Sequence, residues 1–362
     1  MTEKMKAQVF YEAEKMELEE LPVPEVTDVD VLVRVKNCGI CGSDISYYYG
    51  LSPVGTPTGK GPLVLGHEFT ADVVEVGAVA RSFKLFQPGD RVVVNPVQHC
   101  NACYACAAGQ TNLCTNLYVP GVTANGGFAE YCLFRYTGLI KLPDTVSYVA
   151  GAFTEPLACA VYGIKKLEIE LGQFVAIFGP GPMGLMMVQL AKSVGAGKVA
   201  LVGTRDYRLE AGKKRGADYL FNISEKESPY YVENLKEAIA DLTHGALADR
   251  AIVPTSSNEA FEQAIDITGN AAILVHFGLP NEGDVIHVPA LSTHTMDKQI
   301  RFSWLAPLTW PAAIRSISEG LVDVESLVTS TVPLEETAKA IRALKARIDD
   351  PLKVQITPWG GV

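Results

Sequence analysis

The chain has 362 residues, enough for two domains that each bury a core, and its 48% hydrophobic and 20% charged residues are ordinary for a globular protein, which excludes a disordered one. With 31 Lys and Arg against 41 Asp and Glu, the formal net charge is −10. That balance argues against a nucleic-acid or anionic-membrane surface and makes any phosphate site a local one.

The opening residues Met1 to Lys6 carry no apolar signal region, and no uninterrupted apolar run is long enough to span a bilayer, so the expected compartment is the cytosol. Residues 7 to 11 and 31 to 36 alternate or run apolar, with Pro22 and Pro24 between them, and predict short strands of an antiparallel β-rich region. The second of these leads into Asn37-Cys38-Gly39-Ile40-Cys41-Gly42-Ser43-Asp44. A Pro/Gly-rich loop from Gly55 to Gly61 precedes Gly66-His67-Glu68-Phe69, which opens another strand through residues 71 to 76. Gln87 to Asp90 reads as a turn before a strand over 91 to 94.

Next comes His99-Cys100-Asn101-Ala102-Cys103-Tyr104-Ala105-Cys106, with Cys114 eight residues on. Four thiols fall within fifteen residues as C-x2-C-x2-C-x7-C. Four thiolates at about 2.3 Å from one ion complete the tetrahedral shell of a closed structural zinc site. Disulfides are the alternative; a cytosolic setting and the tight spacing favour zinc. His99 stands beside a shell that four sulfurs already fill. The lobe, about residues 95 to 116, has little apolar content of its own, so metal is expected to fold it.

Pro143 and Asp144 predict a helix start, and Glu155-Pro156 stands just before the apolar stretch Leu157 to Ile164. The chain is organised around Val175 to Arg205: a buried strand, a glycine turn, an apolar-periodic helix to Ser193 and a second buried strand. Gly179, Gly181 and Gly184 form G-x-G-x-x-G, with Pro182 and Met183 inside it. The first glycine permits the tight turn, the second lets backbone approach a pyrophosphate, and the third lets the helix pack on the strand. The helix N-terminus then offers free N–H groups to the phosphates.

Where an NAD site carries a carboxylate at the end of the second strand, this chain reads Gly203-Thr204-Arg205. A 2′-phosphate would meet no repulsion there, and Thr204, Arg205 and Arg208 could bind it, so NADP(H) is expected over NAD(H). The opposing reading makes Asp206 the ribose acid, a few residues late, and Arg205 a solvated loop charge.

Asp206 to Gly216 reads as a helix, Tyr219 to Phe221 as a strand, 224 to 243 as a charged helix, and 250 to 254 and 271 to 278 as further parallel strands. This alternation implies an α/β doubly wound parallel sheet. Thr309-Trp310-Pro311 and Pro333-Leu334 open later helices, and Leu352 to Ile356 alternates like a strand that returns to the first domain, making the cofactor domain an insertion.

Cys41, His67, Glu68 and Glu155 form a second possible metal set, of the kind a catalytic zinc needs: two or three protein ligands with one open position. Singly each has a plain reading: a small buried thiol, a satisfied core imidazole, two surface acids. Cys-Gly-Ser-Asp at 41 to 44, Gly-His-Glu at 66 to 68, the four-cysteine lobe, Glu-Pro-Leu at 155 to 157, the glycine turn and Thr-Trp-Pro at 309 to 311 occur in one order. In that combination the chain resembles the zinc-containing medium-chain dehydrogenases, and within them the sorbitol dehydrogenase-like polyol branch.

The resemblance implies a Rossmann domain at 157–294 inserted into a β-rich GroES-like catalytic domain at 1–156 and 295–362. It makes Cys41 and His67 firm ligands of a catalytic zinc and Glu68 a direct or exchanging ligand. Glu155 would bind directly or through a water, and Cys100, Cys103, Cys106 and Cys114 would hold a structural zinc. Two Zn2+ per chain are thus implied. Ser43 resembles the hydroxyl that takes the alcohol proton, Asp44 an anchor behind the ligands, and the backbone of Phe277, Gly278 and Leu279 the holder of the nicotinamide amide.

Departures from the branch are Ser46 where many relatives continue a proton relay with histidine, Leu305 to Leu308 where an arginine is common, and Ser330-Thr331 where a His-Arg pair is usual. These put sorbitol itself in doubt and leave a more apolar substrate pocket. Tyr47 matches a tyrosine near the substrate, although Tyr47 to Tyr49 read equally as packing aromatics.

The expected function is zinc-dependent, NADP(H)-preferring hydride transfer between a secondary alcohol of a polyol, sugar alcohol or cyclitol and its ketone. A simple secondary-alcohol dehydrogenase is the nearest rival. From a different class, a non-catalytic NADPH-binding protein would keep the glycine turn and the cysteine lobe without the second metal set. A small-molecule substrate, no nucleic acid, no membrane and a homodimer or homotetramer complete the expectation.

Overall fold

The computed structural model describes residues 3–56 and 58–360. They divide into two compact units. The first is the chain up to Pro156 together with Trp310–Glu319 and the chain from Val324; the second is Leu157–Thr309 with Gly320–Asp323. The expected second boundary at 294/295 therefore moves to 309/310. The strand Gln299–Phe302 pairs in parallel with Thr268–His276 and belongs to the sheet of the second unit.

The first unit is β-rich. A seven-stranded sheet runs in the order Val328–Pro333, Lys353–Thr357, Asp30–Gly39, Glu68–Val76, Arg91–Val94, Leu139–Lys141, with Tyr131–Arg135 also pairing to Asp30–Gly39. A three-stranded sheet joins Lys15–Pro22, Lys4–Glu12 and Leu63–Val64. Val31, Val33, Val35, Phe69, Ala71 and Val73 from the two central strands are buried in one core with Phe128 and Phe134. The terminal strand does return to this unit, pairing Gln355 with Gly39 and Ile356 with Cys38.

The second unit is a six-stranded parallel sheet in the order Tyr219–Asn222, Lys198–Gly203, Phe174–Phe178, Ala248–Val253, Thr268–His276, Gln299–Phe302. In chain order this is 3-2-1-4-5-6, the doubly wound arrangement whose crevice lies beyond the carboxyl ends of the first and fourth strands. Phe174–Phe178 is buried at all five positions, as a strand covered on both faces must be.

Three helix expectations shift. The helix expected at Pro143 begins at Tyr148, where the Ser147 hydroxyl accepts from the Ala150 amide and caps it. The helix expected from Asp206 to Gly216 ends at Lys213. The helix expected over 224–243 covers only Leu235–Leu242, because Asn234 accepts from the Lys236 and Glu237 amides and fixes its start there. In the preceding segment, which contains Pro229, the Ser224 and Glu225 amides donate to the Asn222 side chain and the Tyr230 amide to Ser228 Oγ instead. Among the described residues, no helix is long and apolar enough to cross a membrane.

Candidate functional site

The antiparallel pairing of Asp30–Gly39 with Glu68–Val76 sets Gly39 opposite Glu68. Cys41 lies two residues beyond one end of that pair and His67 one residue before the other, so strand register brings them together. One donor atom each from Cys41, His67 and Glu68 lies within 4.8 Å of the others. Glu155 is buried in the first turn of the helix Thr154–Leu167 and is not in this group.

Asp44, fully buried, organises the group. As the third residue of the helix Gly42–Tyr48 it accepts from the Cys41 amide at 2.8 Å, the reach-back of a capping box, and from the Gly66 amide at 3.3 Å. Its Oδ1 also faces His67 Nδ1 at 3.6 Å, leaving Nε2 on the side of Ser43 Oγ, 3.5 Å away. Burial pushes the His67 pKa down, but the Asp44 carboxylate and the Cys41 sulfur outweigh it and hold the ring well above its ordinary value. Such a field favours a cation. A cysteine sulfur, an imidazole and a carboxylate this close are donors that suit zinc, whose ligands stand at about 2.0–2.3 Å.

Lys353 is the residue that the reading of the sequence passed over. Its Nζ pairs with Glu68 Oε2, the two side chains being 7% and 2% exposed. Burial opposes its charge, yet Glu68 and Cys41 hold its pKa above the usual lysine value. Gly39 makes room for this pair, since a Cβ there would stand 2.9 Å from Lys353 Cε and closer still to the carboxylate. Lys353 alternates with buried apolar residues in a terminal strand; only the pairing of that strand with Asp30–Gly39 reveals its partner.

Cys100, Cys103, Cys106 and Cys114 form the second donor group within 4.8 Å. Backbone amides of Cys103, Cys100 and Asn116 point at the sulfurs of Cys100, Cys114 and Cys114 at 3.3 Å each. Amides of Cys106 and Thr115 lower Cys103 to about 6, into thiolate range at neutral pH. All eight cysteines are free of disulfides. His99 is outside the group.

In the second unit, Gly179 has φ +107° and Gly184 packs so close that a Cβ would meet the Gly179 carbonyl. Gly181 caps the helix Pro182–Ser193, with Pro182 and Met183 in its first turn and Pro182 at the position where proline lacks only an orphan donor. A Cβ on Gly181 would have Arg208 Nη1, at 3.9 Å, as its one neighbour, so the turn presents open backbone of the kind a pyrophosphate needs. At the end of the next strand Gly203 lies under Pro180: a Cβ at 203 would be 2.7 Å from the proline ring. Thr204 is exposed, Arg205 caps the helix Asp206–Lys213, and the Asp206 carboxylate engages Asn222 and Ser228. Phe277, Gly278 and Leu279 follow the fifth strand, and Gly278 runs against the Thr255 backbone with no room for a side chain.

Tyr47 and Tyr48 are both buried. The Tyr48 hydroxyl donates to the Glu14 carbonyl and accepts from Arg342, which makes it a packing residue. Burial raises the Tyr47 phenol and the Ser52 hydroxyl opposes the rise. Ser46 Oγ donates to the Gly42 carbonyl within its own helix.

Residues 27–144 match the alcohol dehydrogenase GroES-like domain and residues 182–319 the zinc-binding dehydrogenase family. The chain is 32% identical over 357 residues to a sorbitol dehydrogenase of Bacillus subtilis strain 168, covering 98% of this chain and 97% of that one. It superposes with a TM-score of 0.89 and 29% identity on a protein described as a zinc-binding dehydrogenase of Sinorhizobium meliloti 1021 bound to NADP, over 99% of this chain and 100% of that one. With an alcohol dehydrogenase of Escherichia coli CFT073 complexed with NADH it shares a TM-score of 0.87 and 30% identity, over 98% and 99%. A GroES-like unit, a Rossmann unit and near full-length identity above 30% together place the chain in the zinc-dependent medium-chain alcohol and polyol dehydrogenase family.

Proposed function

We propose that the protein is a zinc-dependent, NADP(H)-preferring oxidoreductase that interconverts a secondary alcohol of a polyol, sugar alcohol or cyclitol with the corresponding ketone. The observation that carries this reading is the Cys41, His67 and Glu68 group, held from behind by Asp44 and flanked by the Ser43 hydroxyl. Zinc bound there supplies a Lewis acid for the substrate oxygen.

The chain's own residues do the rest. Cys41 and His67 would be the firm ligands of that ion, and Glu68, paired with Lys353, would be a direct or exchanging one. Glu155, outside that group, would contribute to the zinc directly or through a water. Ser43 Oγ takes the substrate hydroxyl proton. With Ser46 bonded inside its helix, water carries the proton outward. The backbone of Phe277 to Leu279 would hold the nicotinamide amide of the bound cofactor. Cys100, Cys103, Cys106 and Cys114 would hold a second zinc, whose role would be structural.

Preference for NADP(H) is supported by three features of the second unit. Gly203 has no room for an acid, Arg208 lies beside Gly181, and the Asp206 carboxylate is bonded to Asn222 and Ser228. A reducing compartment, the cytosol, goes with reading the four clustered cysteines as zinc ligands rather than disulfides. Polyol chemistry rests on the sorbitol dehydrogenase relative.

A screen of polyols, cyclitols and simple secondary alcohols with each cofactor tests the reading. Turnover of a polyol or cyclitol with the lower Michaelis constant for NADP is expected. Clear preference for a simple alcohol, or for NAD, overturns the corresponding part. Cys41→Ala and His67→Ala should each remove turnover while leaving NADP binding intact, and normal rates in metal-depleted protein would contradict zinc chemistry. Zinc analysis is expected to find about two ions per chain, against one for a protein that only binds the dinucleotide.

A further inference from the structure

Asp206 is the one carboxylate in the segment Gly203 to Arg208, which follows the second strand of the glycine-turn unit. A negative charge there would repel a 2′-phosphate. The structure shows how it is held. Asn222, fully buried, ends the neighbouring strand directly opposite Gly203. Its side-chain oxygen accepts from the amides of Ser224 at 3.0 Å and Glu225 at 2.9 Å, which fixes the orientation of the amide group. Its Nδ2 therefore faces outward and donates to Asp206 Oδ1 at 2.8 Å, and to Glu225 Oε2 at 3.2 Å.

Ser228 adds a second donor. Its Oγ accepts from the Tyr230 amide at 3.0 Å, and its proton goes to the same Asp206 Oδ1 at 2.5 Å. Hydrogen bonds to an ionised acceptor are the strong ones, and two on one oxygen turn the carboxylate toward the Asn222 strand.

We infer that Asn222 and Ser228 are specificity-determining residues for the cofactor, because they clamp Asp206 in an orientation that keeps its charge off a 2′-phosphate bound by Thr204 and Arg205. The inference rests on the NADP(H) reading above and extends it. Neither Asn222 nor Ser228 needs to touch the dinucleotide. They act through Asp206 and are positioning residues.

The test is a mutant cycle read as dissociation constants of NADP and NAD for the zinc-loaded protein, measured by calorimetry without substrate. Ser228→Ala removes one donor from a partly buried site, and NADP affinity should fall about tenfold while NAD affinity stays within about twofold. Asp206→Ala alone should leave both affinities near those of the unaltered protein. Added to Ser228→Ala, it should restore NADP affinity, which a merely structural defect would not permit. The inference is overturned if Ser228→Ala weakens both cofactors equally or neither, or if Asp206→Ala alone weakens NAD, which would make Asp206 a ribose ligand. Tighter NAD than NADP binding by the unaltered protein would refute the NADP(H) reading by itself, and the cycle would still report whether Asp206 and Ser228 are coupled.

Discussion

Two glycines set the chemistry of their neighbours by what they leave out. Gly203 lies under the Pro180 ring, so a carboxylate installed there would have to displace a rigid ring within the glycine turn. Gly203→Asp alone should therefore weaken binding of both cofactors, whereas Gly203→Asp with Pro180→Ala should shift preference toward NAD; the ratio of the two dissociation constants checks this. Gly39 gives the Lys353 and Glu68 pair its space. Lys353→Met strands a buried carboxylate and should cost the metal-free protein about 3 kcal/mol in urea unfolding. The loss should be smaller in the zinc-loaded protein, where a cation again faces Glu68. Equal losses in the two forms would refute a role for Lys353 at the metal group.

At the scale of elements, the cysteine lobe contrasts with the strands around it. Its helix Tyr104–Ala107 and short turn Thr111–Leu113 bury no side chain, and Tyr104 is 90% exposed, so apolar packing contributes little. Its internal order comes from backbone turns within Cys103–Cys114 and from amides aimed at sulfur. If the chain binds two zinc ions as proposed, Cys103→Ser should release one of them and make residues 95–116 the first site of proteolysis, with the parallel sheet still folded by circular dichroism. Retention of both ions would refute the four-sulfur assignment. The site strands behave differently: Asp30–Gly39 and Glu68–Val76 are fixed by core burial, so the Cys41 and His67 positions should survive metal removal.

For the whole molecule, we expect assembly through the cofactor unit. Gln299–Phe302 is an edge strand of the six-stranded sheet, and an unpaired edge is a template for pairing. Near it in sequence, Val285, Leu291 and Phe302 are 66%, 78% and 61% exposed, apolar surface that a monomer gains nothing by showing to water. Sedimentation velocity should show a dimer or tetramer, and Leu291→Lys with Phe302→Lys should shift it toward the monomer without changing the zinc content. A monomer at all concentrations would refute the expectation.

What the sequence determined by itself was whatever depends on short spacing. The four cysteines, the three glycines and the strand-helix alternation each need only neighbours along the chain, so Cys100 to Cys114 and Gly179 to Gly184 were legible as sites with defined geometry. Long-range register was not. The Lys353 and Glu68 pair joins residues 285 apart in sequence, Asn222 reaches Asp206 from the end of the neighbouring strand, and the sheet extends to residue 302 because a last strand pairs beyond the expected boundary. Periodicity says which face of a strand is buried. Which strand lies beside it, and so which charge meets which, is settled only when the sheets close around their cores.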